Sequence, residues 1–265
     1  MLSALKVSSK VGFYDLSPTE RAEMTAQIQH QLLEDIQKND LHAFIEYFSD
    51  DDTYIRKAGY LGVGRIYNAE PSLRKQILQS LQHLLEHSNE LIRQTVINAA
   101  GEIGMLSIIS LTASKTSALF DEHHRVRNAV IGSVKKMSKK NPEPTLAWAK
   151  KYLEHPDKEV RREICHGIEL RGRTHPQDIL PLLKVLQFDK TSRVRDTLVH
   201  VIGQISYKKG CLPTVISVLN EWSNKALVLD AVNEIIDVHS EKRYAKFSAL
   251  NQEEVVTYIS ENLKD

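Results

Sequence analysis

Cysteine, glycine, proline and aromatic residues are all scarce in this 265-residue chain. Two cysteines, Cys165 and Cys211, cannot build a disulfide framework, and their spacing fits no zinc module. Eleven glycines and eight prolines are too few for an all-β fold with many tight turns. No apolar run approaches the roughly 18–20 residues needed to cross a bilayer. The opening segment, MLSALKVSSKVGFYDLSPTE, lacks the continuous apolar stretch of a signal peptide. These absences together predict a soluble, cytoplasmic, predominantly helical chain with no membrane partner. Hydrophobic residues make up 42% and charged residues 26%, which excludes a disordered chain.

What the chain does have is a repeat. Hydrophobic-Arg pairs recur at Ile55-Arg56, Ile92-Arg93, Val126-Arg127, Val160-Arg161 and Val194-Arg195, the last four at a 34-residue period. Around each pair the plan is constant: an apolar helix end, a short polar turn, the β-branched residue with its arginine, then a helix carrying small residues. A sixth copy, LNEWSNKALVLDAVNEII, has Val228 in the arginine's place. Asp52, Asn89, Asp157 and Asp189 are the expected caps of the second helices. Gly59, Ala99, Ala100, Gly132, Gly167 and Gly203 are the expected points of close helix approach.

This spacing predicts first helices over 40–49, 71–87, 106–119, 143–154, 177–187 and 212–221. Second helices follow over 52–67, 90–104, 122–140, 157–170, 190–207 and 224–238. Ser17-Pro18-Thr19-Glu20 is a capping box with proline at the first helical position, opening a helix to about Lys38. Met24, Ile28, Leu32 and Ile36 form its apolar stripe. Residues 1–16 read as an irregular arm, 17–38 as an N-terminal capping helix, 39–240 as one continuous solenoid and 241–265 as a C-terminal capping segment.

The repeat resembles the HEAT-repeat family, with its helical hairpins, turn aspartate and Val-Arg opening of the second helix. The resemblance implies an all-α fold, a right-handed α-α superhelix of about six hairpins with helical caps. It also implies that Arg56, Arg93, Arg127, Arg161 and Arg195 form a structural ladder. An arginine in a first helical turn opposes the helix dipole, so an aspartate of its own or the adjacent turn is expected to accept from each guanidinium.

Charge is polarised along the chain. Residues 121–210 hold 19 basic and 11 acidic residues, whereas the rest holds 16 basic and 23 acidic. Lys135, Lys136, Lys139 and Lys140 end one second helix, Arg171 and Arg173 the next, and Lys208 and Lys209 the one after. Stacking predicts a basic ridge built from Lys136, Lys139, Lys140, Arg171, Arg173, Lys208 and Lys209. Such a ridge, beside a concave face, suits an acidic protein surface or a nucleic-acid backbone. Lysines at helix C-termini also serve the dipole alone.

Residues 144–222 resemble the HEAT-like alkylpurine DNA glycosylases more narrowly, in HPDKEVRREICHGIELRGR, PLLKVLQFDKTSRVRDTLVHVIGQI and SVLNEW. That resemblance implies a tryptophan and a carboxylate beside a damaged nucleotide. Trp148 and Trp222 would supply the ring, and Glu163, Glu169 or Asp196 the acid. In one branch an Asp follows the active-site Trp by one helical turn, but here Tyr152 stands in that place.

Two further patterns read as structural. His83-Leu84-Leu85-Glu86-His87 spells H-x-x-E-H, the order of inverted zinc peptidases, yet it ends an ordinary amphipathic helix. Cys165-His166, with His155 and His175, lacks zinc-ligand spacing. No metal or cofactor is therefore expected, and the favoured function is a non-enzymatic binding scaffold. The alternative is a glycosylase-like protein of alkylation repair.

Overall fold

A computed structural model describes residues 12–105 and 118–264. The expected first helix over 106–119 lies almost wholly outside the described residues, as does most of the expected N-terminal arm. The fold is all-α, and the described residues contain no strand beyond one isolated bridge between Lys208 and Ser248. The chain divides into two compact units, residues 1–100 and 101–265, where the repeat alone predicts one continuous stack.

In the first unit, α1 (Pro18–Lys38) starts on the expected capping box. Ser17 Oγ accepts from the Glu20 amide, while Glu20 Oε2 accepts from the Ser17 amide at 2.8 Å. Its stripe of Ile28, Leu32 and Ile36 is buried against α3 (Thr53–Ala69). Each such side chain contributes about 1.5–3 kcal/mol on removal from water. The helix stops at Asn39, whose φ of 53° is left-handed. The buried Asp35 carboxylate then accepts from the Ala43 amide at 2.6 Å, fixing the start of α2 (His42–Phe48). Phe13–Asp15 form a 3-10 turn, tied to the first hairpin by the Phe13 amide donating to Asp52 Oδ2 at 2.7 Å. A 3-10 turn over Pro71–Leu73 leads into α4 (Arg74–Leu84), and α5 (Glu90–Gly104) begins after the next polar turn.

The second unit continues the hairpin order. It comprises α6 (His124–Lys140), α7 (Pro142–Lys150), α8 (Lys158–Gly167), α9 (Glu169–Gly172), α10 (Pro176–Leu183), α11 (Ser192–Ser206), α12 (Cys211–Leu219), α13 (Lys225–Ser240) and α14 (Gln252–Asn262). The second helices α6, α8, α11 and α13 pack side by side in succession. The expected helix over 157–170 is interrupted at Ile168, beyond which α9 continues to Gly172. Gly172 permits this: a Cβ there would lie 2.3 Å from Ile179 and 2.8 Å from Ile205. Gly132, by contrast, has nothing within 4 Å of its ideal Cβ and marks no close approach. At the C-terminal end, α14 packs on α13 and α12, and Asn220 Nδ2 donates to the Asn262 carbonyl at 2.9 Å.

The ladder arginines all reach backward to the turn that precedes them. Arg93 Nη1 donates to the His87 and Ser88 carbonyls, both at 2.9 Å. Arg127 does the same to Asp121 and Glu122, and Arg161 to His155 and Pro156. Arg56 reaches the Asp50 and Asp51 carbonyls, and Arg195 the Asp189 carbonyl. The shared acceptors are thus turn carbonyls; the expected aspartate partner is seen at Arg161, whose fork meets Asp189 of the following turn (Nε–Oδ2 2.5 Å, Nη2–Oδ1 3.0 Å).

The same turns contain a second device that the sequence pattern did not expose. Six residues before each arginine stands Asp50, His87, Asp121, His155 or Asp189, whose side chain accepts the amide two residues on. Asp189 holds this place and not the expected N-cap, which is Thr191. In the sixth repeat, where Val228 replaces the arginine, Gln187 Oε1 accepts from the Ser223 and Asn224 amides at 2.9 and 3.1 Å.

Candidate functional site

At one edge of the second unit the ends of α9 and α11 meet. Arg173, just past α9, reaches Gln204 Oε1 at 2.8 Å and Tyr207 at the end of α11. The seven residues expected to form the basic ridge stand near or just past the ends of α6, α9 and α11, and they divide into two groups. Lys136 pairs with Glu102 at 2.5 Å, Arg171 with Asp178 at 2.6 Å, and Arg173 with the buried Glu169 at 2.5 Å. Lys139, Lys140 and Lys209 are exposed and Lys208 half-buried; none of the four has an acidic partner among the described residues. The positive charge open to a ligand is therefore narrower than the ridge read from the sequence.

Beside this edge, the 34-residue period brings side chains of neighbouring helices into register. Lys135 on α6 reaches His166 Nε2 at 2.8 Å and Glu169 Oε2 at 3.1 Å. His200 on α11 lies 34 residues beyond His166, and the two rings meet edge to face at 6.0 Å. A further 34 residues on, Glu234 Oε1 stands 3.2 Å from His200 Nδ1. Burial pushes the Glu169 carboxyl up, but the His166 hydrogen bond and the Lys135 and Arg173 cations outweigh it, bringing its pKa down to about 2. No metal ligands are expected from the sequence, yet His166, Glu169 and His200 present ligand atoms within 4.8 Å of one another. The repeat register was the signal that could have found them.

Glu163, one turn before His166 on α8, is chemically different. It is buried, and its Oε2 has no hydrogen-bond partner among the described residues. Burial raises its pKa to about 7, because Arg162 and Arg127, at 3.6 and 3.7 Å, compensate only in part.

The residues that would serve a flipped nucleotide are not assembled as that chemistry requires. Trp148 and Trp222 are 5% and 1% exposed, so neither offers a ring face to a ligand. Both indole N–H groups lie in the interior, and Trp148 packs against Tyr152 at 5.0 Å. Of the three acids, Glu163 and Glu169 are buried and Asp196 is exposed on α11.

The H-x-x-E-H segment is not a single helical face, since α4 ends at Leu84 and His87 lies in the turn. There His87 Nδ1 accepts from the Asn89 amide at 3.0 Å. Cys165 and Cys211 are both free and buried, and burial pushes the Cys165 thiol far up. No helix among the described residues is long and apolar enough to cross a membrane.

No protein-family model matches the chain, and no curated protein matches it. Among solved structures it is similar to a chain of the Pds5–Scc1 cohesin complex, at 16% identity and a TM-score of 0.47 over 84% of its length. It spans 37% of that chain. The YibA protein of E. coli is similar at 16% identity and a TM-score of 0.43, covering 93% of this chain and 89% of that one. The CpcE–CpcF phycocyanin lyase complex of Nostoc sp. PCC7120 matches at 15% identity and a TM-score of 0.27, covering 83% and 94%. Within the described residues the helical hairpins share one turn chemistry and one arginine ladder.

Proposed function

We propose that this helical-repeat chain is a non-enzymatic binding protein that holds a negatively charged partner, an acidic protein surface or a nucleic-acid backbone. The observation that carries this reading is the division of the basic edge. Lys136, Arg171 and Arg173 are held by carboxylates of their own unit, while Lys139, Lys140, Lys208 and Lys209 keep their charge for a ligand. An unpaired surface cation raises the local concentration of anions and speeds their encounter. The ladder arginines fit a structural part, because their guanidinium donors are spent on turn carbonyls. No observation favours the glycosylase reading over this one.

Fluorescence anisotropy with a labelled DNA duplex and with a poly-glutamate peptide tests the proposal and separates the two sources of negative charge. Binding to at least one probe is expected at low salt. Reversing Lys139, Lys140, Lys208 and Lys209 to Glu is expected to weaken it by about tenfold or more, with helical content unchanged. A wild-type chain that binds neither probe, or a reversed chain that binds as well as wild type, would overturn it.

A further inference from the structure

The cluster around His166 has a feature that anion binding does not use. Its three ligand-type side chains come from two stretches of chain, the local pair His166 and Glu169 at the junction of α8 and α9, and His200 from α11. Glu169 is buried, while the imidazoles of His166 and His200 remain 31% and 48% exposed. The arrangement is a buried carboxylate beside two imidazoles open to solvent. Two of the ligands are also held from behind. Glu234 engages Nδ1 of His200, and the Arg173 fork engages Oε1 of Glu169 through Nε and Nη2, at 2.8 and 2.5 Å. That leaves Glu169 Oε2 facing His166 Nε2 at 3.0 Å. Such outer contacts are what orient metal-binding histidines and carboxylates. The Lys135 ammonium touches both of these atoms, at 2.8 and 3.1 Å, so the position already selects for positive charge.

We propose that His166, Glu169 and His200 bind a divalent transition metal of the zinc class, with the Lys135 ammonium as the cation it displaces. An imidazole–imidazole–carboxylate set suits zinc and its neighbours, whereas calcium and magnesium take oxygen ligands. Three protein ligands leave a fourth position open, where water or a donor from a partner completes the coordination. Zinc–nitrogen bonds of about 2.0–2.1 Å place tetrahedral ligand atoms roughly 3.3 Å apart. His166 Nε2 and Glu169 Oε2 already stand at 3.0 Å, and His200, within 4.8 Å of both and half-exposed, is the ligand that would have to turn inward on binding. Lys135, one-quarter exposed, has a route for its ammonium into solvent.

Cobalt(II) titration of the full-length chain, followed by its visible d–d absorption and by zinc displacement, tests the proposal. One equivalent of cobalt is expected to bind with low-symmetry bands that zinc abolishes. His166→Gln and His200→Gln are each expected to weaken binding by about tenfold or more, and Glu234→Gln by about 10- to 100-fold. Lys135→Met is expected to tighten it, because the competing ammonium is gone. His83→Gln with His87→Gln should leave it unchanged. Absence of stoichiometric binding by the wild-type chain would overturn the proposal. So would binding that survives in the His166→Gln/His200→Gln chain, or binding that Lys135→Met weakens. Circular dichroism reports the fold of each variant, and the Lys135→Met result stands as a test if a histidine variant unfolds.

Discussion

Arg161 joins four acceptors, the His155 and Pro156 carbonyls of its own turn and both oxygens of Asp189 in the next. Burial pushes the Asp189 carboxyl up, but the Arg161 and Thr191 hydrogen bonds outweigh it and hold the acid below its usual range. Arg161→Ala should therefore cost about 1–3 kcal/mol by orphaning these groups, visible as a lowered denaturant midpoint. Glu163 carries the opposite sign. Its folded pKa of about 7 lies above the ordinary 4.5, so the folded chain binds more protons than the unfolded one between those values. Stability is then complete below about pH 4.5 and falls as pH rises through 7, by a sum on the order of 3 kcal/mol. Arg162 and Arg127 oppose the shift, and Glu159 and Asp157 add to it. Glu163→Gln should remove that slope, leaving the variant more stable relative to wild type at pH 8 than at pH 4.5. Urea titrations at the two pH values measure it.

Between elements, the spacing of small residues predicts close contact but not at which of them it occurs. Gly132 and Gly172 show the difference. A methyl group at Gly172 would meet side chains of α10 and α11 at well under contact distance, so Gly172→Ala should cost about 1–3 kcal/mol. Gly132 faces open space in the middle of α6, and Gly132→Ala should gain up to about 1 kcal/mol from helix propensity. Thermal unfolding of the two variants should move in opposite directions. The turn at 222–224 makes the same point from the polar side: Trp222 stands where the other turns carry an Asp or His acceptor, and Gln187 of the preceding repeat accepts the Ser223 and Asn224 amides instead.

For the molecule as a whole, charge segregation has a measurable consequence. If duplex DNA is the partner, the logarithm of affinity should fall linearly with that of salt, by about 0.9 per phosphate neutralised. Removing the four unpaired lysines should reduce that slope by roughly 3–4. Removing Arg171, whose charge Asp178 already offsets, should change it far less. Affinities measured from 50 to 200 mM salt distinguish these outcomes.

Among the described residues, the chain's own pattern determined the hairpin order, the capping box at Ser17, the positions of the ladder arginines and the helix bounds to within a few residues. All of these rest on contacts within one turn or one helix, where sequence distance and spatial distance agree. Tertiary structure alone decided which charges are spent and which are open. Glu102 reaches Lys136 across 34 residues, Asp189 reaches Arg161 across 28, and His200 joins the local His166–Glu169 pair only when α11 packs beside α8 and α9. Tryptophans that composition alone would admit to a binding surface are buried for the same reason. A helical period says which face a residue occupies, but the rotation and separation of neighbouring hairpins, set by side-chain packing, decide what covers that face.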